Sequence, residues 1–208
     1  MASKAPASRQ RGCIENLLAV FEQATSAERH QGLLYYATQR DRVHELGTQF
    51  GFTLEASAGA FAALSPNKRE SDTYADLQVC MSHVQSGLPG KARVCAYPRN
   101  RDKALLILRG TDPKRVLKGS KVLSFYFNTV DPKNPLWVTV DGHLVSAWVG
   151  QQLRMKQARI SRREYDRIRE NVIRAAKSVH VVPCQFHSII WVVQRRLNKY
   201  PDQIVFDF

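Results

Sequence analysis

The stretch 119-GSKVLSFYFNTVDPKNPLWVTVDGH-143 places a lysine, Lys121, and an aspartate, Asp141, twenty residues apart. From Ser120 to about Thr129 the apolar positions Val122, Leu123, Phe125 and Tyr126 predict a helix with one buried face. Gly119 suits the tight turn before it. The chain then turns through DPKNP and is expected to return extended as LWVTV. Ten helical residues rise about 15 Å, and ten extended residues cover at least that distance. The return is therefore expected to carry Asp141 back to the end of the helix that holds Lys121. There Asp141 suits the N-cap of a further helix, GHLVSAWVGQQL. An amine and a carboxylate are predicted to meet at two neighbouring helix starts.

Outward from this stretch the chain reads as helical almost throughout, which makes an all-α bundle the expected fold class. CIENLLAVFEQA carries Ile14, Leu17, Leu18 and Phe21 on one stripe, and a second stripe runs from Leu33 to Leu46, with Gly51 as a terminator. ASAGAFAALSP has no charge and is expected to be buried, stopping near Pro66. Helices are predicted for DTYADLQVCMSHV and RNRDKALLILRG, with SGLPGKA as the turn between them. ISRREYDRIRENVIRAAKSV opens with the capping box Ser161 and Glu164 and has an apolar stripe of Ile160, Tyr165, Ile168, Val172, Ala176 and Val179. QFHSIIWVVQRRLNKY is the last predicted helix, and the terminal QIVFDF reads as extended. Strands and helices do not alternate, so a parallel sheet is not expected.

The 208 residues suit one domain, residues 13–208, after a basic tail at 1–12. The formal net charge of +13 points to a polyanion as partner. No apolar run is long enough to span a bilayer, and the N-terminus lacks the apolar core of a secretory signal. A cytoplasmic, bacterial or phage-encoded protein with reduced thiols is the expectation. Four cysteines are scattered along the chain. Two C-x-x-H pairs, Cys80 with His83 and Cys184 with His187, have the spacing of a zinc half-site on a helix. They lie about a hundred residues apart in apolar surroundings, so packing is the preferred reading. Neither a metal nor a cofactor is expected. Between Arg154 and Lys177, nine basic residues face three acidic ones, which favours phosphate contact over a merely solvated face.

GSKVLSFYFN followed by VTVDGH resembles the helix-hairpin-helix DNA glycosylases of the endonuclease III superfamily. Their signature is a glycine-containing hairpin, a lysine in the next helix, and then V-D-x-H. FAALSPN, upstream, resembles that family's buried helix ending in L-S-x-Q. The same motifs in the same order also resemble a group of phage and mobile-element proteins on that scaffold. The resemblance covers about residues 55–150. In this chain VLKGSK keeps one hairpin glycine, and Gly142 stands where the family has threonine.

What the resemblance implies is specific. The fold would be a helical bundle with a groove between helical subdomains, acting as a monomer on double-stranded DNA that carries a damaged or modified base. Lys121 would be the Schiff-base nucleophile and Asp141 the carboxylate that stabilises the sugar cation. Lys114, Arg115, Lys118, Gly119 and Ser120 of the hairpin would hold a phosphate, and Asn67 would fill the hole left by an extruded base. Tyr36 and Trp148 are the aromatic candidates for the base pocket, with His143 beside them supporting the Asp141 loop. Two other readings stand beside this one: a phage-type transferase that modifies DNA bases on the same scaffold, and a DNA-binding protein without catalysis.

Overall fold

The computed structural model describes residues 12–154 and 157–198, and among these the chain is all-helical with no strand. Ten helices follow one another: α1 (Ile14–Glu22), α2 (Ser26–Gln49), α3 (Leu54–Leu64), α4 (Glu70–Gln85), α5 (Pro98–Leu108), α6 (Pro113–Val116), α7 (Ser120–Val130), α8 (Gly142–Val149), α9 (Arg162–Ser178) and α10 (Pro183–Leu197). Local chemistry sets many of their ends. Thr25 with Glu28 and Ser161 with Glu164 form reciprocal capping boxes at α2 and α9. Proline occupies the first turn of α5, α6 and α10.

The apolar side chains form two cores. One is built from α3, α4 and α5, closed by Phe125 and Tyr126 of α7 and by Tyr35, Tyr36 and Val43 of α2. The other is built from α1, α8, α9 and α10. α3 is buried from Ser57 to Leu64, as its uncharged sequence requires. The stripe predicted for α9 is buried at Tyr165, Ile168, Val172 and Ala176.

Some expectations are corrected, and others fall outside the described residues. The helix after Asp141 stops at Val149 instead of running through QQL. Gly150 takes a left-handed φ of +76°, and the N–H groups of Gly150 and Gln151 both close onto Ser146 O. The four-residue α6 has no apolar periodicity to announce it; Asp112 caps it by accepting from Lys114 N at 2.9 Å. LWVTV is irregular, without a strand partner. The QIVFDF segment lies outside the described residues, as does the basic tail except for Gly12, which is buried against the Trp148 indole.

α2, about 36 Å long at the standard rise, packs along α10 and ties the two cores together. The contact is close because Gly32 faces Ile189: a Cβ built there would stand 2.7 Å from the Ile189 Cα and N. Backbone atoms cannot step aside as a flexible side chain would. Gly32→Ala is therefore expected to cost about 2 kcal/mol through overpacking, read as a lower urea midpoint with an unchanged slope. Wild-type stability in that variant would show that α2 and α10 have slack at this crossing.

A candidate active pocket at three helix starts

Three helices begin at one place. A pocket of about 500 Å³ is lined by Gly119, Ser120 and Lys121 at the start of α7, by Asp141 and Gly142 at the start of α8, and by Ser161 and Arg162 at the start of α9. Val140, Val145, Ala158, Ile160 and Tyr165 give it an apolar side. Helix N-termini present unpaired N–H groups and a partial positive charge, so their convergence favours an anion or developing negative charge. Gly119 precedes α7 with φ +88°, in the region that favours glycine, and provides no side-chain cap to that helix. Lys121 is exposed on the first turn.

Asp141 is 8% exposed. Its Oδ1 accepts from Leu144 N at 2.8 Å, which makes it the cap of α8 as its sequence position suggested. Burial by itself would push this carboxyl up. The His187 side chain, the charges of His143 and His187, and the charge of Lys121 outweigh that, and Asp141 is held well below the usual carboxylate range. The pocket thus joins an ionised, buried carboxylate to an exposed amine.

Among the described residues the segment that delivers Asp141 has no strand to pair with, and side chains hold it. Tyr165 of α9 donates its O–H to Val138 O at 2.8 Å and accepts from Val140 N at 3.2 Å, with Ser124 Oγ of α7 3.1 Å away. From the other side, Tyr36 O–H and Asn128 Nδ2 both donate to Thr139 Oγ1, at 3.0 and 3.1 Å. Tyr165 was read from the sequence as a stripe residue only. Its hydroxyl partners come from residues 25 to 41 positions away, so no local pattern exposes them.

The other candidates are spread over the molecule. Tyr36 is packed in the first core and Trp148 in the second, so neither lines this pocket. Tyr36 acts as a pin beneath Thr139, and Trp148 receives Gly12 on its ring and Arg167 at 5.4 Å from the ring centroid. His143 is half-buried, with Nδ1 3.2 Å from Asn198 Nδ2 and its ring edge-on to Trp191. Lys114 and Arg115 of α6, and Lys118 and Gly119 in the turn between α6 and α7, are exposed, and Ser120 is half-buried. Asn67 is exposed at a turn with φ +60°, a left-handed conformation that asparagine tolerates better than most residues. Behind it, Lys68 makes a buried ion pair with Asp76, whose carboxylate also accepts from Cys95 N and Ala96 N.

Among the described residues no group of three His, Cys, Asp or Glu side chains is placed to hold a metal ion, and no helix is long and apolar enough to cross a membrane. His83 instead contacts Gly90 O at 3.3 Å, and the Cys184 thiol donates to Pro132 O at 3.1 Å.

The chain belongs to the family of unknown function DUF7178, whose model matches residues 1–198. No curated protein and no solved structure matches it.

Tyr165→Phe keeps the ring in the core and removes the hydroxyl that satisfies Val138 O and Val140 N. Leaving these buried groups unpaired is expected to cost about 1–3 kcal/mol, measured by urea denaturation. Faster amide exchange at Val140 is expected beside it. A neutral substitution would mean that the return segment is held by packing alone.

Proposed function

We propose that this protein is a DNA glycosylase that excises a damaged or modified base, working on a helix-hairpin-helix glycosylase-like fold. One observation carries the reading: an exposed lysine and a buried, ionised aspartate line the same pocket where three helices start. The order of the motifs supports it, as do the exposed cations on both flanks. Lys114, Arg115 and Lys118 lie along the hairpin, and Arg162, Arg163, Arg167, Arg174 and Lys177 are exposed on α9. The two cores, with the pocket where α7 of one meets α8 and α9 of the other, support a groove able to take an extruded nucleotide.

The chemistry divides between the two groups. As the N-glycosidic bond breaks, its electron pair leaves with the base and positive charge develops on the deoxyribose. A fixed carboxylate stabilises that charge most in the transition state. Lys121 Nζ, having given up a proton, then forms the new bond to C1′. A further proton leaves the nitrogen, the C1′–O4′ bond breaks with its electron pair going to O4′, which takes up a proton, and the opened sugar is held as an imine. Loss of the C2′ proton and cleavage of the C3′–O bond nick the strand, and water returns the free amine. The exposed hairpin cations, and Asn67 on its left-handed turn, are assigned to the DNA backbone and to the gap in the stack.

The first test is base release from genomic DNAs with different base modifications, followed by mass spectrometry. Asp141→Asn is expected to abolish release while leaving DNA affinity within about three-fold, because the carboxylate acts on charge present only in the transition state. Normal turnover by that variant would overturn the mechanism. Borohydride added during turnover is expected to trap a covalent protein–DNA adduct in wild type and not in Lys121→Gln. Lys118→Gln, three residues earlier, is expected to keep the adduct and lose only affinity. Release without any adduct would leave Asp141 directing water. Modified DNA with no free base would point to group transfer, and binding without a product to a non-catalytic role.

A further inference from the structure

His187 sits on α10, 2% exposed, and both of its ring nitrogens lack a hydrogen-bond partner among the described residues. A buried imidazole with neither nitrogen paired is costly unless a nearby charge repays it. The neighbouring polar groups are already committed. Tyr36 O–H is bonded to Thr139, the Cys184 thiol to Pro132 O, and Ser188 O–H to Cys184 O. The charged group that remains close is Asp141, with Oδ1 at 3.9 Å from His187 Nε2. That distance lies just beyond a hydrogen bond and within reach of a direct electrostatic contact.

We propose that His187 is a positioning residue for Asp141: a buried imidazole that fixes the orientation and charge of the carboxylate from outside the pocket lining. Oδ1 faces two partners at once, the Leu144 N–H and the imidazole. Turning the carboxylate therefore breaks a cap and separates a buried pair in one motion. α10 gives nothing else to the site, as none of its residues lines the pocket. The other titratable groups that act on Asp141 come from every helix around it: Lys121 on α7, His143 on α8, Tyr165 on α9, and Tyr35 and Tyr36 on α2. Compared with these, His187 makes the largest contribution to holding the carboxyl low, against the burial that pushes it up. The catalytic meaning of this pair rests on the glycosylase reading, whereas the pair itself does not.

The test uses the full chain labelled with ¹³C at aspartate carboxyls, with Asp141→Asn to identify the Asp141 signal. At about pH 4, close to the ordinary aspartate midpoint of about 3.9, Asp141 is expected to be ionised in wild type and clearly more protonated in His187→Phe. His187→Gln, which puts an amide N–H near the Nε2 position, is expected to stay ionised. An Asp141 signal in His187→Phe identical to wild type overturns the proposal. If His187→Phe does not fold, Asp141→Asn answers on its own, in protein that keeps the imidazole. The His187 ring ¹⁵N signals must move when their anionic neighbour becomes an amide, and unchanged signals overturn the proposal. Neither readout needs DNA, so a wild type that releases no base sinks the glycosylase reading and leaves this test standing. Where base is released, His187→Phe is expected to lower kcat about tenfold with KM nearly unchanged, and His187→Gln to restore most of it. A structural filler would not produce that split.

Discussion

The return segment from Leu136 to Val140 carries backbone groups into a buried place where, among the described residues, no strand pairs them. Buried N–H and C=O groups must find partners; here one tyrosine supplies them, and a second, from the opposite side, pins the Thr139 hydroxyl. Tyr165 takes Val138 O and Val140 N, and Tyr36 reaches Thr139. One hydroxyl comes from the core of α1, α8, α9 and α10, and the other from the core of α3, α4 and α5 with α2 and α7. The segment is thus stitched to both cores one residue before Asp141. The position of the carboxylate follows from the relative position of the cores, and Gly32 sets that position by letting α2 approach α10. A change at a remote helix crossing has a direct route to the pocket.

The same arrangement accounts for the buried polar network below the pocket. Gln39 of α2 accepts from Tyr35 O–H at 2.7 Å and donates to Thr129 Oγ1 of α7, which in turn donates to Phe125 O at 2.9 Å. These groups join α2 to α7 through side chains that an apolar core would replace with Leu or Ile. Apolar side chains slide past one another with little penalty, whereas a hydrogen-bonded set has one register. The network fixes α7, and with α7 the first turn that carries Lys121.

The sequence made the amine–carboxylate pair legible for a geometric reason. A ten-residue helix and an extended return of equal reach bring their far ends together whatever the surroundings. The N-cap at Asp141 and the capping box at Ser161 are likewise local, depending on residues three apart. What was missed depends on distant packing. Tyr36 and Trp148 have the composition of a stacking wall, but aromatic residues on an apolar stripe are drawn into whichever core lies nearest. Tyr165 looked like an ordinary stripe residue because its work is done by one oxygen whose partners lie on other elements. His187 was noticed for its spacing from Cys184. The spacing is real, but Cys184 lies in one core and His187 turns towards Asp141. α6 escaped because four residues hold barely one turn, too few for any periodicity to show.

The proposed function sets a buried anion in a pocket that would have to meet a polyanion, and distance reconciles the two. Two unit charges about 4 Å apart interact by about 4 kcal/mol at an effective dielectric of 20. Exposed charges more than a Debye length of about 8–10 Å apart are largely screened. A sugar carbon inside the pocket would feel Asp141 strongly, because the carboxylate is fixed and shielded from water. A phosphate further out meets a different field, set by Lys121, Arg162, the hairpin lysines and three helix N-termini, all of which favour it. His187 is buried and His143 half-buried, and both hold the Asp141 carboxyl low. On the proposed glycosylase reading, depth would separate two opposed requirements: attraction of a phosphate backbone at the rim, and stabilisation of positive charge on one sugar at the floor. Moving the carboxylate outward by a few ångströms would weaken both, since its field would repel phosphate at the rim and be screened by water at the floor.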